Sequence, residues 1–377
     1  MRKLAWRSTR RAAGGVTAEG GNPKGRIGPA PTSAPRRPRT RKVTTMAGKK
    51  VNLLVIASDD RPELKHLEDL PAEVDVLGVG TAFDENQVDM AAAEIVLLDS
   101  VGVQKDQIQQ VFRNLPNVKW LHSNMAGLDI IKFPEMLKAA GDGLVVTNSK
   151  GTYSRSLAEY ALFAAKYFAL NAPRLAEQKQ NKEFIKFPVG ELAEKTMGIV
   201  GFGDIGRATG VLAKAYGMRI VATRRNPALS ADDPILDECF ATGDLAAMVE
   251  QCDYVVVSTP LTPSTKHIVD ASVLKAMKRS AVLINVGRGP CVDEAALVEA
   301  LKSGEIRGAG LDVFEQEPLP RDSELWGLRN VLISPHCADQ VDGWLDNSIR
   351  LFVDQMGKYL RDGTGGLANV VDVERGY

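Results

Sequence analysis

The sequence predicts an α/β protein with two open parallel sheets. From Val51 onward, short apolar runs suited to buried strands alternate with amphipathic stretches that have helical spacing. One apolar run leads into a glycine-rich turn and a helix, all within Thr196–Arg225. Long helical stretches at Tyr153–Leu170 and Gly343–Leu360 lie on either side of the region that contains this turn. Their placement predicts that one domain is inserted into another, with both helices at the hinge.

Composition limits the classes of function. The 377 residues are enough for two domains, each with its own core. Lysine and arginine together number 47, as do aspartate and glutamate, so we expect no general affinity for nucleic acid. No apolar run approaches the roughly eighteen residues of a membrane span, so no membrane partner is expected. The four cysteines lack metal-ligand spacing, which predicts reduced thiols in an intracellular protein and no metal site.

Residues 1–50 differ from the rest of the chain in charge. Up to Ala57 the only acidic residue is Glu19, among many arginines and lysines. Such a segment cannot bury a core, so a disordered basic leader is expected. Its arginine-rich, acid-poor composition is typical of a chloroplast or mitochondrial transit peptide. If translation starts at Met46 instead, a cytoplasmic protein is expected. A basic arm for nucleic acid is disfavoured, because no supporting patch follows.

The stretch Thr196–Arg225 has the features of a dinucleotide-binding unit. An apolar strand is followed by a G-x-G-x-x-G turn, a helical pattern and a second apolar strand. Gly201 permits the tight turn, Gly203 lets a pyrophosphate approach the backbone, and Gly206 allows helix and strand to pack closely. The helix N-terminus offers free N–H groups to the phosphates. We therefore predict a Rossmann dinucleotide-binding domain.

Two arginines, Arg224 and Arg225, follow the second strand of this unit. They stand where such domains usually carry an acidic residue for the ribose 2′-hydroxyl. A carboxylate there repels a 2′-phosphate, whereas a guanidinium attracts it and can bind it in bidentate fashion. Unless both arginines are simply solvated, the pair predicts NADP(H) in preference to NAD(H).

The order of strands and helices predicts domain boundaries as well. The dinucleotide-binding domain, residues 153–336, is inserted into a flavodoxin-like substrate domain made of residues 51–152 and 337–377. The polar stretch Gln178–Lys186 is predicted to be a loop. The long apolar helix Tyr153–Leu170 is better suited to an interface than to solvent, and we expect a homodimer.

Polar residues follow three of the later predicted strands. Arg288 follows the strand of AVLINVGRG, and His336 follows that of VLISPH. Glu315 and Glu317 both follow the strand of GAGLDVFEQEP. Ligands of open α/β sheets bind beyond the carboxyl ends of the strands, so these groups can meet around one small substrate.

The chemistry of these groups suits hydride transfer to a 2-oxo acid. Arg288 can bind the substrate carboxylate in bidentate fashion, and His336 can exchange a proton at the carbonyl oxygen. A glutamate on the other imidazole nitrogen would orient the ring and raise its pKa, but the pattern does not decide between Glu315 and Glu317. Taken singly, Arg288 has a structural alternative as a salt-bridge partner and His336 as a strand-end cap. Together, beside a nucleotide site, they favour catalysis.

Residues 51–371 resemble the D-isomer-specific 2-hydroxyacid dehydrogenase family, and most of all its glyoxylate/hydroxypyruvate reductases. The matching motifs are TMGIVGFGDIG, VVVSTPLTPSTKHIVD, LINVGRGPCVDEAALVEAL, GAGLDVFEQEPL and VLISPH. The resemblance implies that Arg288 binds the substrate carboxylate, that Glu317 is the supporting carboxylate, and that His336 is the acid/base. It implies further contacts to substrate from Ala126 and Gly127, to the pyrophosphate from Asp204 and Ile205, and to the nicotinamide half from Pro260, Val286 and Asp312.

The chain departs from the family pattern near the acid/base residue and at the hinge. Asp339 follows His336 where the family usually has small residues and a threonine, and its charge is expected to alter substrate preference or cofactor contacts. Ser149, Lys150 and Gly151 replace the usual T-P-G.

We therefore expect NADPH-dependent reduction of a small 2-oxo acid to the D-2-hydroxy acid. A phosphoglycerate dehydrogenase-like enzyme is an alternative, disfavoured because about forty residues follow His336 and no regulatory domain is expected. A nucleotide-sensing, corepressor-like binding protein of the same fold is a second alternative. Proteins of that kind retain the same three residues, so the sequence excludes them poorly.

Overall fold

A computed structural model describes residues 50–375 apart from residues 59, 85, 129 and 231. The basic leader predicted over residues 1–50 lies outside the described residues except for Lys50. The described chain forms two sheets, of five and seven strands, in which all paired strands are parallel. The predicted α/β class with two parallel sheets is confirmed. No helix in the described part of the chain is long and apolar enough to cross a membrane.

The first sheet and its helices come mainly from the N-terminal part of the described chain. They are β1 (Val51–Ile56), β2 (Val74–Gly80), β3 (Ile95–Leu98), α1 (Lys105–Arg113), β4 (Trp120–Ser123), α2 (Pro134–Gly141) and β5 (Val145–Asn148). The strand order β2-β1-β3-β4-β5 is that of flavodoxin-like folds. Helices α1 and α2 pack on one face. Strands β1 and β3 are almost wholly apolar because both faces of the sheet are covered there.

Two helices connect the sheets, α3 (Ser154–Ala169) and α4 (Ala172–Asn181). The prediction of a loop over Gln178–Lys186 is wrong for its first four residues, which complete α4. Helix α4 buries none of its residues, so it lacks the apolar stripe by which a helix is usually predicted.

The second sheet contains the glycine-rich turn. Its elements are β6 (Thr196–Val200), α5 (Asp204–Ala215), β7 (Arg219–Arg224), β8 (Glu238–Ala241), α6 (Leu245–Val249), β9 (Tyr254–Val257), α7 (Ala271–Ala276), β10 (Val282–Asn285), α8 (Glu294–Lys302), β11 (Gly308–Leu311) and β12 (Val331–Ile333). The order β12-β11-β10-β9-β6-β7-β8 is that of a Rossmann sheet, with the strand order reversing at β6. The sequence did not predict β8, a short edge strand with no fully buried residue.

The last helix, α9 (Trp344–Asp362), returns to the first sheet. Its buried face includes Ile349, Phe352 and Met356, which pack on the face opposite α1 and α2. Phe352 lies against the indole of Trp120, with ring centroids 5.3 Å apart. The C-terminal segment therefore covers the sheet that the first hundred described residues build, whereas the exact boundaries at residues 152 and 336 stay predictions.

Candidate active site

A cleft of about 570 Å³ lies where strands of both sheets end. Its walls come from the residues that follow β4 and β5 of the first sheet and β6, β9, β10, β11 and β12 of the second. This is where ligands of parallel α/β sheets bind. The predicted site residues in its walls are Ala126, Gly127, Gly203, Asp204, Ile205, Pro260, Val286, Arg288, Asp312 and His336.

The three glycines of the turn differ in the space that surrounds them. Gly201 has a φ of +92°, and a Cβ there would lie 2.6 Å from the side chain of Thr259. A Cβ on Gly206 would lie 2.4 Å from the carbonyl oxygen of Gly201, so only glycine lets α5 pack so close. Around Gly203, in contrast, nothing lies within 4 Å of where a Cβ would be. This open space, at a helix N-terminus with free N–H groups, fits the pyrophosphate of a dinucleotide.

Two side chains near this turn differ in their hydrogen bonding. The carboxylate of Asp204, at the start of α5, accepts a hydrogen bond from the Ser154 hydroxyl at the start of α3. Asp204 and Ile205 can therefore offer the cofactor their backbone N–H groups, while the Asp204 carboxylate joins α5 to α3. The buried Oγ1 of Thr259, a residue that lines the cleft, has no partner among the described residues. Such a hydroxyl beside Pro260 fits a site that a polar cofactor group completes.

Arg224 and Arg225 do not line this cleft; they lie at the end of β7. The backbone N–H groups of Gly201 and Phe202 both donate to the carbonyl oxygen of Thr223, each at 3.2 Å. The glycine turn is thus joined to the residue before Arg224. Nη1 of Arg224 donates to Oγ of Ser230 at 2.5 Å, and Arg225 is exposed. This position beside the turn is where the ribose of the adenosine half binds in Rossmann domains.

The structure brings His336 and Glu317 together. Nδ1 of His336 lies 2.7 Å from Oε2 of Glu317. The other carboxylate oxygen of Glu317 accepts the N–H of Phe314 at 2.9 Å. Glu315, the alternative, instead lies 2.6 Å from Nε2 of His267. The sequence pattern did not decide between the two glutamates, and the structure shows that Glu317 is the one that contacts His336.

This pair changes the acidity of both groups. The hydrogen bond to Glu317 raises the pKa of His336, against the effect of burial. Burial alone would raise the pKa of Glu317, but the hydrogen bonds from His336 and from the Phe314 N–H hold it below its usual value. A carboxylate that stays ionised keeps its imidazole partner protonated to a higher pH than usual.

His336 is held in an unusual backbone conformation, with a φ of +50°. Its N–H donates to the carbonyl oxygen of Asp312 at 2.8 Å. Oδ1 of Asp312 accepts the N–H groups of Cys337 and Ala338 at 3.1 and 3.2 Å, and the hydroxyl of Ser334 at 2.6 Å. Asp312 lines the cleft, and its carboxylate also fixes the turn that carries the imidazole. Sequence reasoning missed this second contribution.

Arg288 is positioned by the turn after β10. The side-chain amide of Asn285 donates to the carbonyl oxygen of Arg288 at 3.0 Å, and Oδ1 of Asn285 accepts the N–H of Gly287 at 3.1 Å. A Cβ on Gly289 would lie 1.8 Å from the carbonyl oxygen of Phe314. The Arg288 turn is therefore packed directly against the turn that ends in Glu317.

Ala126 and Gly127 enter the cleft from the first sheet. Oxygen of Ala126 accepts the Asn148 side-chain amide at 2.7 Å, and the Tyr153 hydroxyl donates to the oxygen of Asn124. These contacts connect the substrate-side turn to the end of β5 and the start of α3. Tyr153 itself lines the cleft and was not predicted as a site residue.

The segment 369–371 also lines the cleft and was not predicted. The side-chain amide of Asn369 donates to the carbonyl oxygens of Asn148 and Lys150 at 3.2 and 2.8 Å. These partners are about 220 residues away in sequence. No local pattern could have revealed them.

Known proteins resemble this chain in sequence. Residues 163–338 match the family model described as D-isomer specific 2-hydroxyacid dehydrogenase, NAD binding domain. A glycerate dehydrogenase from Methylorubrum extorquens is 34% identical over 260 residues, which cover 66% of this chain and 77% of that enzyme. A glyoxylate reductase from Thermococcus gammatolerans is 34% identical over 243 residues, which cover 62% of this chain and 71% of the enzyme.

A solved structure adds a likeness in three dimensions. It is an NADPH-dependent glyoxylate/hydroxypyruvate reductase from Sinorhizobium meliloti in complex with NADP and malonate. The likeness has a TM-score of 0.67 and 28% identity, and covers 87% of this chain and 98% of the other. The chain therefore belongs to the D-isomer specific 2-hydroxyacid dehydrogenase family and is an NAD(P)-dependent enzyme that acts on the CH–OH group of 2-hydroxy acids.

Proposed function

We propose that this protein uses NADPH to reduce a small 2-oxo acid of the glyoxylate/hydroxypyruvate type to the D-2-hydroxy acid. The observation that carries the proposal is the 2.7 Å contact between Glu317 and His336, because His336 lines the cleft together with Arg288. A general acid, a fixed carboxylate and a guanidinium are the groups that reduction of a 2-oxo acid requires.

Each group has a defined task in this proposal. Arg288 and the backbone N–H groups of Ala126 and Gly127 bind the substrate carboxylate. Bound NADPH supplies the hydride to C2. Protonated His336 gives its proton to the oxygen on C2, and Glu317 holds the ring in place and stabilises its charge. In the oxidative direction the neutral imidazole accepts the hydroxyl proton.

NADPH is favoured over NADH by the residues at the end of β7. Arg224 and Arg225 follow the strand that hydrogen-bonds to the glycine turn, and the sequence has no carboxylate at this position to bind a ribose 2′-hydroxyl. The Sinorhizobium relative is NADPH-dependent and was solved with NADP, which supports the same choice here.

The test of this function is a screen of the purified protein for NADPH and NADH oxidation. Glyoxylate, hydroxypyruvate, pyruvate and larger 2-oxo acids serve as substrates, with chiral analysis of the product. We expect turnover of the two- and three-carbon acids with NADPH and a D-hydroxy acid wherever the product is chiral. A protein that oxidises neither cofactor with any of these acids would refute the proposal.

Arg224→Asp is expected to raise KM for NADPH by about 10- to 100-fold, because a charged hydrogen bond to the 2′-phosphate is lost and a repulsion is added. KM for NADH should stay the same or fall. Steady-state kinetics with saturating substrate measures both values. Arg279→Asp, at an exposed site before β10, is the control for the change in charge and should leave KM for NADPH unaltered. An unaltered KM in Arg224→Asp would mean that this guanidinium points away from the phosphate.

We also propose a homodimer. Large apolar side chains remain exposed on α3, on α4 and on the segment after α4, namely Phe163, Leu175, Phe184, Ile185 and Val189. Phe184 is 96% exposed, and exposed apolar side chains of this size suit an interface better than solvent. Multi-angle light scattering should give a dimer mass for the wild-type protein and a monomer mass for a double variant, Phe184→Asp with Ile185→Asp. The control, Leu229→Asp, changes an exposed leucine elsewhere and should stay dimeric. A monomeric wild type at micromolar concentration would contradict the proposal.

A further inference from the structure

The proposed function leaves one side of the substrate without an assigned contact, and the inference below rests on that function. The carboxylate of a 2-oxo acid is assigned to Arg288 with the N–H groups of Ala126 and Gly127, and the oxygen on C2 to His336. C3 is the third substituent of C2. A group on C3 must therefore contact a part of the cleft wall to which no role has been assigned.

Asp339 is a charged residue in that remaining wall, and His336 and Arg288 line the same cleft. Its backbone is fixed on both sides. Asp312 holds the N–H groups that precede it, and the N–H of Val341 donates to the Asp339 carbonyl oxygen at 2.9 Å. Among the described residues, no other side chain forms a hydrogen bond with the Asp339 carboxylate, which leaves its oxygens available to a ligand.

Asp339 lines the same cleft as His336 and Arg288, and the charges of these groups act on its carboxylate. Burial raises the pKa of Asp339, while the charges of His336 and Arg288 act in the opposite direction. The charge of Asp339 in turn contributes, after burial, to the raised pKa of Tyr153, which also lines the cleft. Asp339 is therefore within electrostatic reach of several groups that line the cleft.

The exposed cation Lys150 also lines the cleft. The next residue, Gly151, lies against Asp204, since a Cβ there would be 3.7 Å from the Asp204 carboxylate. Asp204 is at the start of α5, where the pyrophosphate is assigned. On this basis Lys150 is assigned to the cofactor phosphates, and Asp339 remains as the charged side chain that is assigned to C3.

We propose that Asp339 accepts a hydrogen bond from a hydroxyl group on C3 of the substrate and so selects 2-oxo acids that carry this hydroxyl. Hydroxypyruvate has such a donor, whereas glyoxylate has no C3 and pyruvate has only a methyl group there. A carboxylate taken out of water and left without a donor is costly, so acids that lack the hydroxyl are disfavoured. The same negative charge repels a phosphate on C3.

The test compares hydroxypyruvate with pyruvate, because the two acids differ by a single hydroxyl group. The wild-type protein should prefer hydroxypyruvate, measured as kcat/KM with NADPH. Asp339→Ala should lower kcat/KM for hydroxypyruvate by about 10- to 100-fold, the value of a hydrogen bond to a charged group, and leave pyruvate unchanged or improved. Asp339→Asn keeps an acceptor oxygen and should retain more of the preference than Asp339→Ala. Asp342→Ala, an exposed acid outside the cleft, is the matched control and should keep the wild-type ratio.

The outcomes separate this inference from the function on which it rests. If the wild-type protein reduces 2-oxo acids but Asp339→Ala lowers both substrates equally, or leaves the ratio unchanged, the selection by Asp339 is refuted and the reductase function stands. If the wild-type protein reduces no 2-oxo acid, both are refuted. A further expected result is that 3-phosphohydroxypyruvate gains kcat/KM in Asp339→Asn, because the repelling charge is gone while the side-chain shape is kept.

Discussion

His336→Ala is expected to lower kcat for reduction of a 2-oxo acid by about 10²–10⁴-fold, the usual contribution of a positioned general acid. Without the imidazole, the oxygen on C2 has to take its proton from water as the hydride arrives. NADPH affinity should be unchanged, because Arg224 and the glycine turn lie at the other end of the cofactor site. Stopped-flow single-turnover kinetics, with the Kd for NADPH from fluorescence titration, separates the two effects.

The chain contains a matched control for this variant. His267 and Glu315 form a second histidine–glutamate pair, with 2.6 Å between Nε2 and Oε1. His267 also has a left-handed backbone, with a φ of +49°, but it does not line the cleft. His267→Ala should therefore retain near-normal kcat. Equal losses in the two variants would show that each histidine merely supports the structure.

The hydrogen bond between Glu317 and His336 also predicts a pH dependence of the reaction. The pKa of His336 is raised by its hydrogen bond to Glu317, so the protonated acid needed for reduction persists above the usual titration range of histidine. In the pH profile of kcat/KM, the decline on the alkaline side should therefore come late. Glu317→Gln removes the negative charge, lowers the pKa of His336, and should move that decline to lower pH. An unmoved profile would mean that His336 is not the group being titrated.

Much of this site was predictable because parallel sheets carry their functional residues just beyond the carboxyl ends of the strands. Arg288 and His336 each lie three residues after the end of a strand, and the ends of parallel strands meet at one edge. Contacts among side chains in one polar turn obey no such rule. Whether Glu315 or Glu317 meets the imidazole depends on how the turn bends, and only the structure shows that Glu315 pairs with His267 instead.

The sequence did not predict two kinds of feature. Some depend on contacts between distant parts of the chain, and others lack an apolar pattern. Helix α4 buries no residue and β8 is a short edge strand, so neither has the periodicity by which such elements are predicted. Tyr153 lines the cleft because α3 begins beside the substrate-side turn, and Asn369 because the chain returns after α9. The unpartnered hydroxyl of Thr259 becomes visible only once every neighbour has been placed.

Arg288→Ala is expected to lower kcat/KM for a 2-oxo acid by about 10²-fold or more, since truncating one partner of a desolvated charge pair leaves the other without its counter-ion. Arg288→Lys should recover only part of this loss, because an ammonium cannot reproduce the two parallel N–H donors of a guanidinium. The side chain of Arg329 is 90% exposed, so Arg329→Ala is the control and should leave kcat/KM unchanged.

For Arg288→Ala, the change in KM for the 2-oxo acid is compared with the change in Kd for NADPH. The Asn285 amide and Gly289 fix the backbone of this turn through contacts that do not involve the guanidinium, so the turn should survive the substitution. The Kd for NADPH should therefore stay at its wild-type value while KM for the 2-oxo acid rises. A parallel loss of NADPH binding would mean that the guanidinium supports the cleft as a whole. In that case the substrate carboxylate would depend on Ala126 and Gly127 alone, and backbone N–H groups without a cation would have to bind it.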